Sequence, residues 1–216
     1  MKIRPYGDRG VLLTELDDAE RSAWLAKLEQ ALPSACEDYV VGYDSILLVG
    51  QRLLSGDIAS ATPLYTEFGS RATPAPSTSR PLHTIVVNYN GADLKFVATS
   101  CVLTIEQVIE LHTAPIYTVR MMGFSPGFPY LDGLDARLYL PRRASPRTRI
   151  AAGTAAIGGA HAGIYSVASP GGWHLLGQID RPLFDLKAAQ KPYPDPKDVF
   201  ALAPGDQVRF QPKAVE

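Results

Sequence analysis

The chain has 216 residues, of which 46% are hydrophobic and 20% charged, and a net charge of −1. This is the balance of a globular protein with a real core, and it gives no general reason to expect nucleic acid or an anionic membrane as a partner. Cys36 and Cys101 match no metal or redox spacing, which excludes a disulfide scaffold and leaves two reduced, buried thiols as the expectation. The opening Met1-Lys2-Ile3-Arg4 has no apolar leader pattern and no run approaches the length of a membrane span, so a cytoplasmic protein is expected.

Taken in order, residues 3–5 and 10–16 read as strands. Asp17 can cap a helix, with Glu20 returning the bond at the third position. Trp24, Leu25, Leu28 and Leu32 follow at helical spacing, and Pro33 ends the run. Residues 39–41 and 45–49 read as two strands joined by a turn at 42–44, and 56–68 as a weak helix broken by Pro63. The order β-β-α-β-β-α predicts a small α+β sandwich over residues 1–68. Residues 69–81 are rich in Pro, Ser and Thr and cannot repay chain ordering, so they read as a linker. A second domain is expected over 82–216.

That domain opens with a strand at 82–89, and Asn90-Gly91 predicts a hairpin into a second strand at 94–98. Thr104-Ile105-Glu106-Gln107 is a capping box for one short amphipathic helix, which Pro115 stops. From Ile116 the chain reads as strands and turns, through the Pro204-Gly205-Asp206 turn to a last strand at 207–210. One helix followed by many short strands predicts a closed β-barrel.

The stretch from Met122 to Gln178 is the most distinctive. Gly and Pro recur beside aromatics, in Ser125-Pro126-Gly127-Phe128-Pro129-Tyr130 and in Ser169-Pro170-Gly171-Gly172-Trp173. Arg142, Arg143, Arg147 and Arg149 lie between them, with no acid between Asp135 and Asp180. Gly123-Phe124-Ser125-Pro126-Gly127 matches the G-x-S-x-G nucleophile elbow in letters. It fails on mechanism, because the residue after the serine must donate an N–H to the oxyanion and Pro126 has none. Pro141 and Pro146 stiffen the arginine segment, whose guanidinium groups suit a carboxylate or phosphate, or form a solvated basic surface. The four arginines are expected to make one electropositive wall beside 169–173, with Arg142 and Arg143 pointing apart. Gly171 and Gly172 are expected to let the backbone approach a ligand closely.

His83, His112, His161 and His174 show no metal-ligand spacing, and isolated histidines are more often structural. His161 stands in the glycine-rich turn Gly158-Gly159-Ala160-His161-Ala162-Gly163, where a polar side chain has room to face a ligand. Asp132 and Asp135 are either acid–base groups or turn formers. No self-contained nucleotide fingerprint exists. The residues alone leave the catalytic set unknown.

Gly123 to Leu131, Pro141-Arg142-Arg143, Pro146-Arg147, Ala152-Gly153, Gly163-Ile164-Tyr165 and Ser169 to Trp173 strongly resemble the family of the 5-oxoprolinase B subunit. That family is also called allophanate hydrolase subunit 1 and includes an inhibitor of a sporulation histidine kinase. The resemblance implies a cyclophilin-like β-barrel after the α+β domain, and fold alone does not carry isomerase activity with it. It also implies an ATP-dependent amide hydrolase that opens 5-oxo-L-proline to L-glutamate. Its partners would be a second cyclophilin-like barrel and a separate lactam-opening protein, the two other components of a 5-oxoprolinase. ATP would be shared with or held by a partner, with no metal. Two alternatives belong to the same resemblance: a non-catalytic inhibitor of a sensor histidine kinase, and a carboxyltransferase-type barrel of a urea carboxylase system.

On this footing the expected ligand-facing residues are Phe124, Pro126, Phe128 and Tyr130, the four arginines, His161, Tyr165, Gly171, Gly172 and Trp173. The chain departs from the family's usual pattern in three places. R-V-P-A-G-S becomes Arg149-Ile150-Ala151-Ala152-Gly153-Thr154. S-Q-T-G-I-Y-P becomes Ala160-His161-Ala162-Gly163-Ile164-Tyr165-Ser166, and I-G-R-T becomes Leu176-Gly177-Gln178-Ile179.

Overall fold

Burial alternates along the second strand of the chain, from Val11 to Thr14. In a computed structural model that describes residues 1–33, 36–50 and 80–214, β1 (Lys2–Tyr6) pairs antiparallel with β2 (Gly10–Thr14). The chain divides into two compact units, Met1–Ser79 and Arg80–Glu216. The expected helix at 56–68 and residues 69–79 of the expected linker lie outside the described residues.

In the first unit, β3 (Cys36–Val41) and β4 (Ile46–Gly50) complete an antiparallel sheet of order β1-β2-β4-β3. Val11 and Leu13 on β2 and Ile46 and Leu48 on β4 are buried at every second position, as one covered sheet face requires. Helix α1 (Asp18–Gln30) buries Trp24, Leu25 and Leu28. Its capping box closes as the sequence requires: Asp17 accepts from Glu20 N–H at 2.8 Å and Asp17 N–H donates to Glu20 at 3.2 Å. The helix ends at Gln30, so Leu32 lies beyond it and is exposed.

The second unit corrects the hairpin expected at 90–91. After β5 (Leu82–Asn88) comes helix α2 (Leu94–Ser100). Leu94, Val97 and Ala98 are buried at helical spacing, so the stretch has period 3.6 rather than 2. Asn90-Gly91 does not reverse the chain onto β5. Gly91 N–H and Asp93 N–H donate to the carbonyls of Leu176 and Leu175, at 3.0 and 3.1 Å. Helix α3 (Ile105–Thr113) carries the expected Thr104–Gln107 capping box and buries Val108 and His112.

The remaining strands are β6 (Tyr117–Met122), β7 (Pro129–Asp132), β8 (Arg147–Ile150), β9 (Thr154–Gly158), β10 (His161–Tyr165), β11 (Ser169–Gly171), β12 (His174–Ile179) and β13 (Gln207–Pro212). The barrel closes in the order β10-β7-β6-β13-β5-β12-β9, and β8 and β11 form a separate two-stranded sheet. Its pairings are antiparallel except that of β13 with β5. The α+β class and the closed barrel thus stand as expected. Short helices at Ala136–Leu138, Leu186–Ala189 and Pro196–Val199 interrupt a region expected to hold strands and turns alone.

The barrel interior is largely aliphatic, with Val119, Leu131, Ile157, Ile164 and Leu176 beside Tyr117 and Phe210. His112 is fully buried against it, stacked on Phe210 at 4.4 Å and hydrogen-bonded to Tyr89 Oη at 2.7 Å. Burial pushes its imidazole down to about 3. Cys36 and Cys101 are free and half-buried rather than buried, and desolvation raises both thiols.

Candidate functional site

Strands β9 and β10 are covered on both faces. Ala155, Ile157, Ala162 and Ile164 point into the barrel, while Ala156 and Tyr165 point out into a second core with Phe128, Ile150 and Trp173. The loop 123–127 supplies one edge of that second core. Gly123 N–H donates to Phe128 O at 3.1 Å and Phe128 N–H to Ser125 O at 3.0 Å, while Phe124 and Gly127 take φ of 68° and 75°. The turn leads into strand β7 and not into a helix, so it is no nucleophile elbow.

The rings meet edge to face. Phe128 lies 5.3 Å from Tyr165, 5.5 Å from Trp173 and 5.1 Å from Tyr130 between ring centroids, and exposed Phe124 closes on Phe128 at 5.3 Å. Phe128, Tyr165 and Trp173 are at most 4% exposed. These three rings, expected to face a ligand, are packed against one another and build an aromatic platform. Pro126 is exposed at the turn, and Tyr130 is half-buried at the platform's edge.

The glycines are explained by the same rings. A Cβ on Gly158 would lie 2.7 Å from the Trp173 ring, and one on Gly163 2.9 Å from Phe128. A Cβ on Gly171 would collide with the Tyr165 hydroxyl. Gly171, expected to admit a ligand, admits a tyrosine. Gly172 differs: a Cβ there would meet Arg143 O at an ordinary 3.4 Å.

The four arginines do not form one wall. Asp93, buried at the N-terminus of α2, makes no side-chain cap for that helix. Its carboxylate accepts from Arg147 at 2.8 Å, from Arg143 at 3.3 Å and from Leu175 N–H at 2.8 Å. Burial opposes the charged form, but those hydrogen bonds and the two guanidinium charges outweigh it and hold the carboxyl below its usual range. Arg143 Nε and Arg147 Nη1 are buried with no partner among the described residues. Arg142 places its guanidinium 5.8 Å from the centroid of the Trp173 ring, a cation–π distance. Arg149 is exposed on β8.

Arg142, Arg143, Arg147, Gly172 and the aromatic platform are thus brought together, tied by Arg143 N–H donating to Gly172 O at 2.7 Å. His161 is drawn to Asp132 instead, with Nδ1 at 3.0 Å from the carboxylate, and Arg120 lies 3.7 Å from the same group. Asp135 is the turn former of the two acids. It caps Ala136–Leu138 and binds Arg137, which brings its carboxyl down to about 2. His83 pairs with Asp206 at 3.0 Å. Among the described residues no cluster of His, Cys, Asp or Glu could hold a metal, and no helix is long and apolar enough to cross a membrane.

Asp93 is hidden in the sequence because residues 90–98 look like a hairpin. The spacing of Leu94, Val97 and Ala98 after an aspartate is the available signal. The partnership of Phe96 and His174 has no sequence signal of its own. The two rings stack at 5.2 Å and, with Arg142 and Arg143, line a cleft of about 520 Å³.

Comparison with known proteins agrees with this architecture. The carboxyltransferase domain family, subdomain C and D, matches residues 1–194. The B subunit of Haemophilus influenzae 5-oxoprolinase is 47% identical over 126 residues, 58% of this chain and 55% of that protein. The chain spans about half the length of the curated relatives it matches. The crystal structure of TTHA0988 superposes with a TM-score of 0.78 at 33% identity, over 96% of this chain and 40% of that one. Kluyveromyces lactis urea carboxylase shares the fold, with a TM-score of 0.72 at 18% identity over 98% of this chain and 22% of that one. By this match the chain belongs to the carboxyltransferase domain family, subdomain C and D, and its resemblance to the 5-oxoprolinase B subunit is borne out.

Proposed function

We infer that this chain is one barrel of an ATP-dependent 5-oxoprolinase, acting in the cytoplasm with a second barrel protein and a lactam-opening protein. The observation that carries the reading is its 47% identity over 126 residues with a protein named as the B subunit of 5-oxoprolinase. The chemistry is consistent with it. A lactam resists water because its amide is resonance-stabilised. Transfer of the γ-phosphoryl group to the lactam oxygen, with ADP leaving, makes the ring carbon open to attack by water, and loss of phosphate and rupture of the C–N bond yield glutamate.

In this reading ATP is held by, or shared with, a partner protein. This chain contributes binding and charge through Arg142, Arg143 and Arg147, with Phe124 and Tyr130 on the aromatic platform that Phe128, Tyr165 and Trp173 support. His161, held by Asp132, is a further candidate contact. A second reading, a barrel of a carboxyl-transfer enzyme, is favoured by the family match itself.

The test is reconstitution. The purified chain alone should release no glutamate from 5-oxoproline and ATP, and the complex formed with the other two proteins should. ATP-dependent glutamate release by the single chain would defeat the multi-component reading, and an inactive complex that binds biotinylated carrier would favour the second.

A further inference from the structure

The cleft of about 520 Å³ beside the arginines has a composition that narrows its ligand. One wall is α2, the other the loop 140–145, and the floor is His174 on β12. Phe96 is 52% exposed although it lies on a helix whose Leu94, Val97 and Ala98 are buried. Its ring is not loose, because one face lies on the imidazole of His174 at 5.2 Å and 20°. His174 is itself 3% exposed, and its Nε2–H donates to Pro141 O at 2.9 Å. A carbonyl only accepts, so this bond also sets the ring's tautomer. His174 therefore ties both walls to one floor, and the cleft is shaped before any ligand arrives.

Its charge is one-sided. Arg142 and Arg143 line it, and among the described residues no acid does. Asp93 offers a single negative charge to Arg143 and Arg147 together, which leaves the arginine segment positive. Arg143 is pinned by that bond while its Nε stays buried without a partner among the described residues. The remaining walls are mostly carbon, from Phe96, Leu140 and Pro141. A heavily hydrated phosphate dianion gains little from such walls, whereas a flat or puckered ring bearing one carboxylate gains from both parts.

We propose that this cleft binds a small ring carboxylate, its anion held by Arg142 and Arg143 and its ring laid on the open face of Phe96. His174 is a positioning residue that holds Phe96 and Pro141 apart at the width of the ligand. That the ligand is the substrate of the reaction rests on the function proposed above; the preference of the cleft for a ring carboxylate does not.

The experiment is a titration of the purified full chain by calorimetry and by NMR, with 5-oxo-L-proline, pyrrolidin-2-one and inorganic phosphate. The acid should bind saturably, and pyrrolidin-2-one, which lacks only the carboxylate, at least about tenfold more weakly. Arg142→Gln and Phe96→Ala should each weaken the acid about tenfold, with unchanged thermal unfolding showing that both variants are folded. His174→Gln should weaken it by releasing the Phe96 ring from its stack. No saturable binding of 5-oxo-L-proline overturns the proposal, as does phosphate binding as tightly as the acid, or affinity indifferent to both Arg142 and Phe96. An active complex whose chain fails this titration would sink the cleft and spare the function. An inactive complex whose chain passes it would do the reverse.

Discussion

The two faces of β9 and β10 are both buried, yet they are built from different materials. Inside the barrel, Ile157 and Ile164 pack among other aliphatic side chains, and shape comes from many small interchangeable groups. Outside, three rings carry most of the contact, and glycines at 158, 163 and 171 leave room for them. Aliphatic cores tolerate repacking when volume is kept, whereas an aromatic cluster seated on glycines has few alternative solutions. That difference explains why the conspicuous letters of the chain lie on the outer face. It also explains what they support, since Arg142 is mounted directly on Trp173.

The largest expected effect separates the faces by pH. His112, on the inner face, has its imidazole lowered to about 3 by burial, against an ordinary 6.5. Above pH 6.5 it is neutral in both states and its full contribution is present. As pH falls from there towards 3, the unfolded chain takes up a proton that the folded chain refuses, and roughly 5 kcal/mol is lost. Asp93, serving the outer face, behaves differently in window. Its folded pKa is lowered, so its contribution is intact above the ordinary carboxylate value and lost only as pH falls through the lower folded one. Urea unfolding from pH 8 to 3 should therefore show loss beginning near neutrality, and His112→Phe should remove that early limb. Retention of the limb in the variant would assign it elsewhere.

Truncation should sharpen the comparison further. Trp173→Ala should destabilise the second unit by about 3–5 kcal/mol, at least as much as Ile157→Ala on the inner face, whose expected cost is about 2–5 kcal/mol. Chemical denaturation measures both. A loss below about 1 kcal/mol for Trp173 would mean that the outer face is decoration and not a core.

The smallest effects come from single methyl groups. Gly163→Ala places a Cβ 2.9 Å from both the Phe128 ring and Pro129 O, and a backbone atom cannot step aside cheaply. A cost of about 1–3 kcal/mol is expected. Gly172→Ala, with only ordinary contacts around its Cβ and no positive φ, should be neutral or stabilise by up to about 1 kcal/mol. Equal melting temperatures for the two variants would contradict the claim that the glycines of the outer face are there for the rings.

Much of this protein was determined by sequence that acts over a few residues. The capping boxes at Asp17–Glu20 and Thr104–Gln107 form as their spacing requires, because donor and acceptor are three residues apart and need no other part of the chain. The alternation in β2 and β4 and the succession of short strands that closes into a barrel were legible for the same reason, since a period is a local property. The family was carried by long motifs whose glycines and rings are also local in sequence. Tertiary structure decided what joins distant segments. Asp93 meets Arg143 and Arg147 across 50 and 54 residues, and the N–H groups of Gly91 and Asp93, just before the helix, donate to carbonyls of β12, far along the chain. The same holds for the glycines at 158, 163 and 171: the sequence shows that they lack a side chain, and only the packed barrel shows which ring occupies the space where one would be.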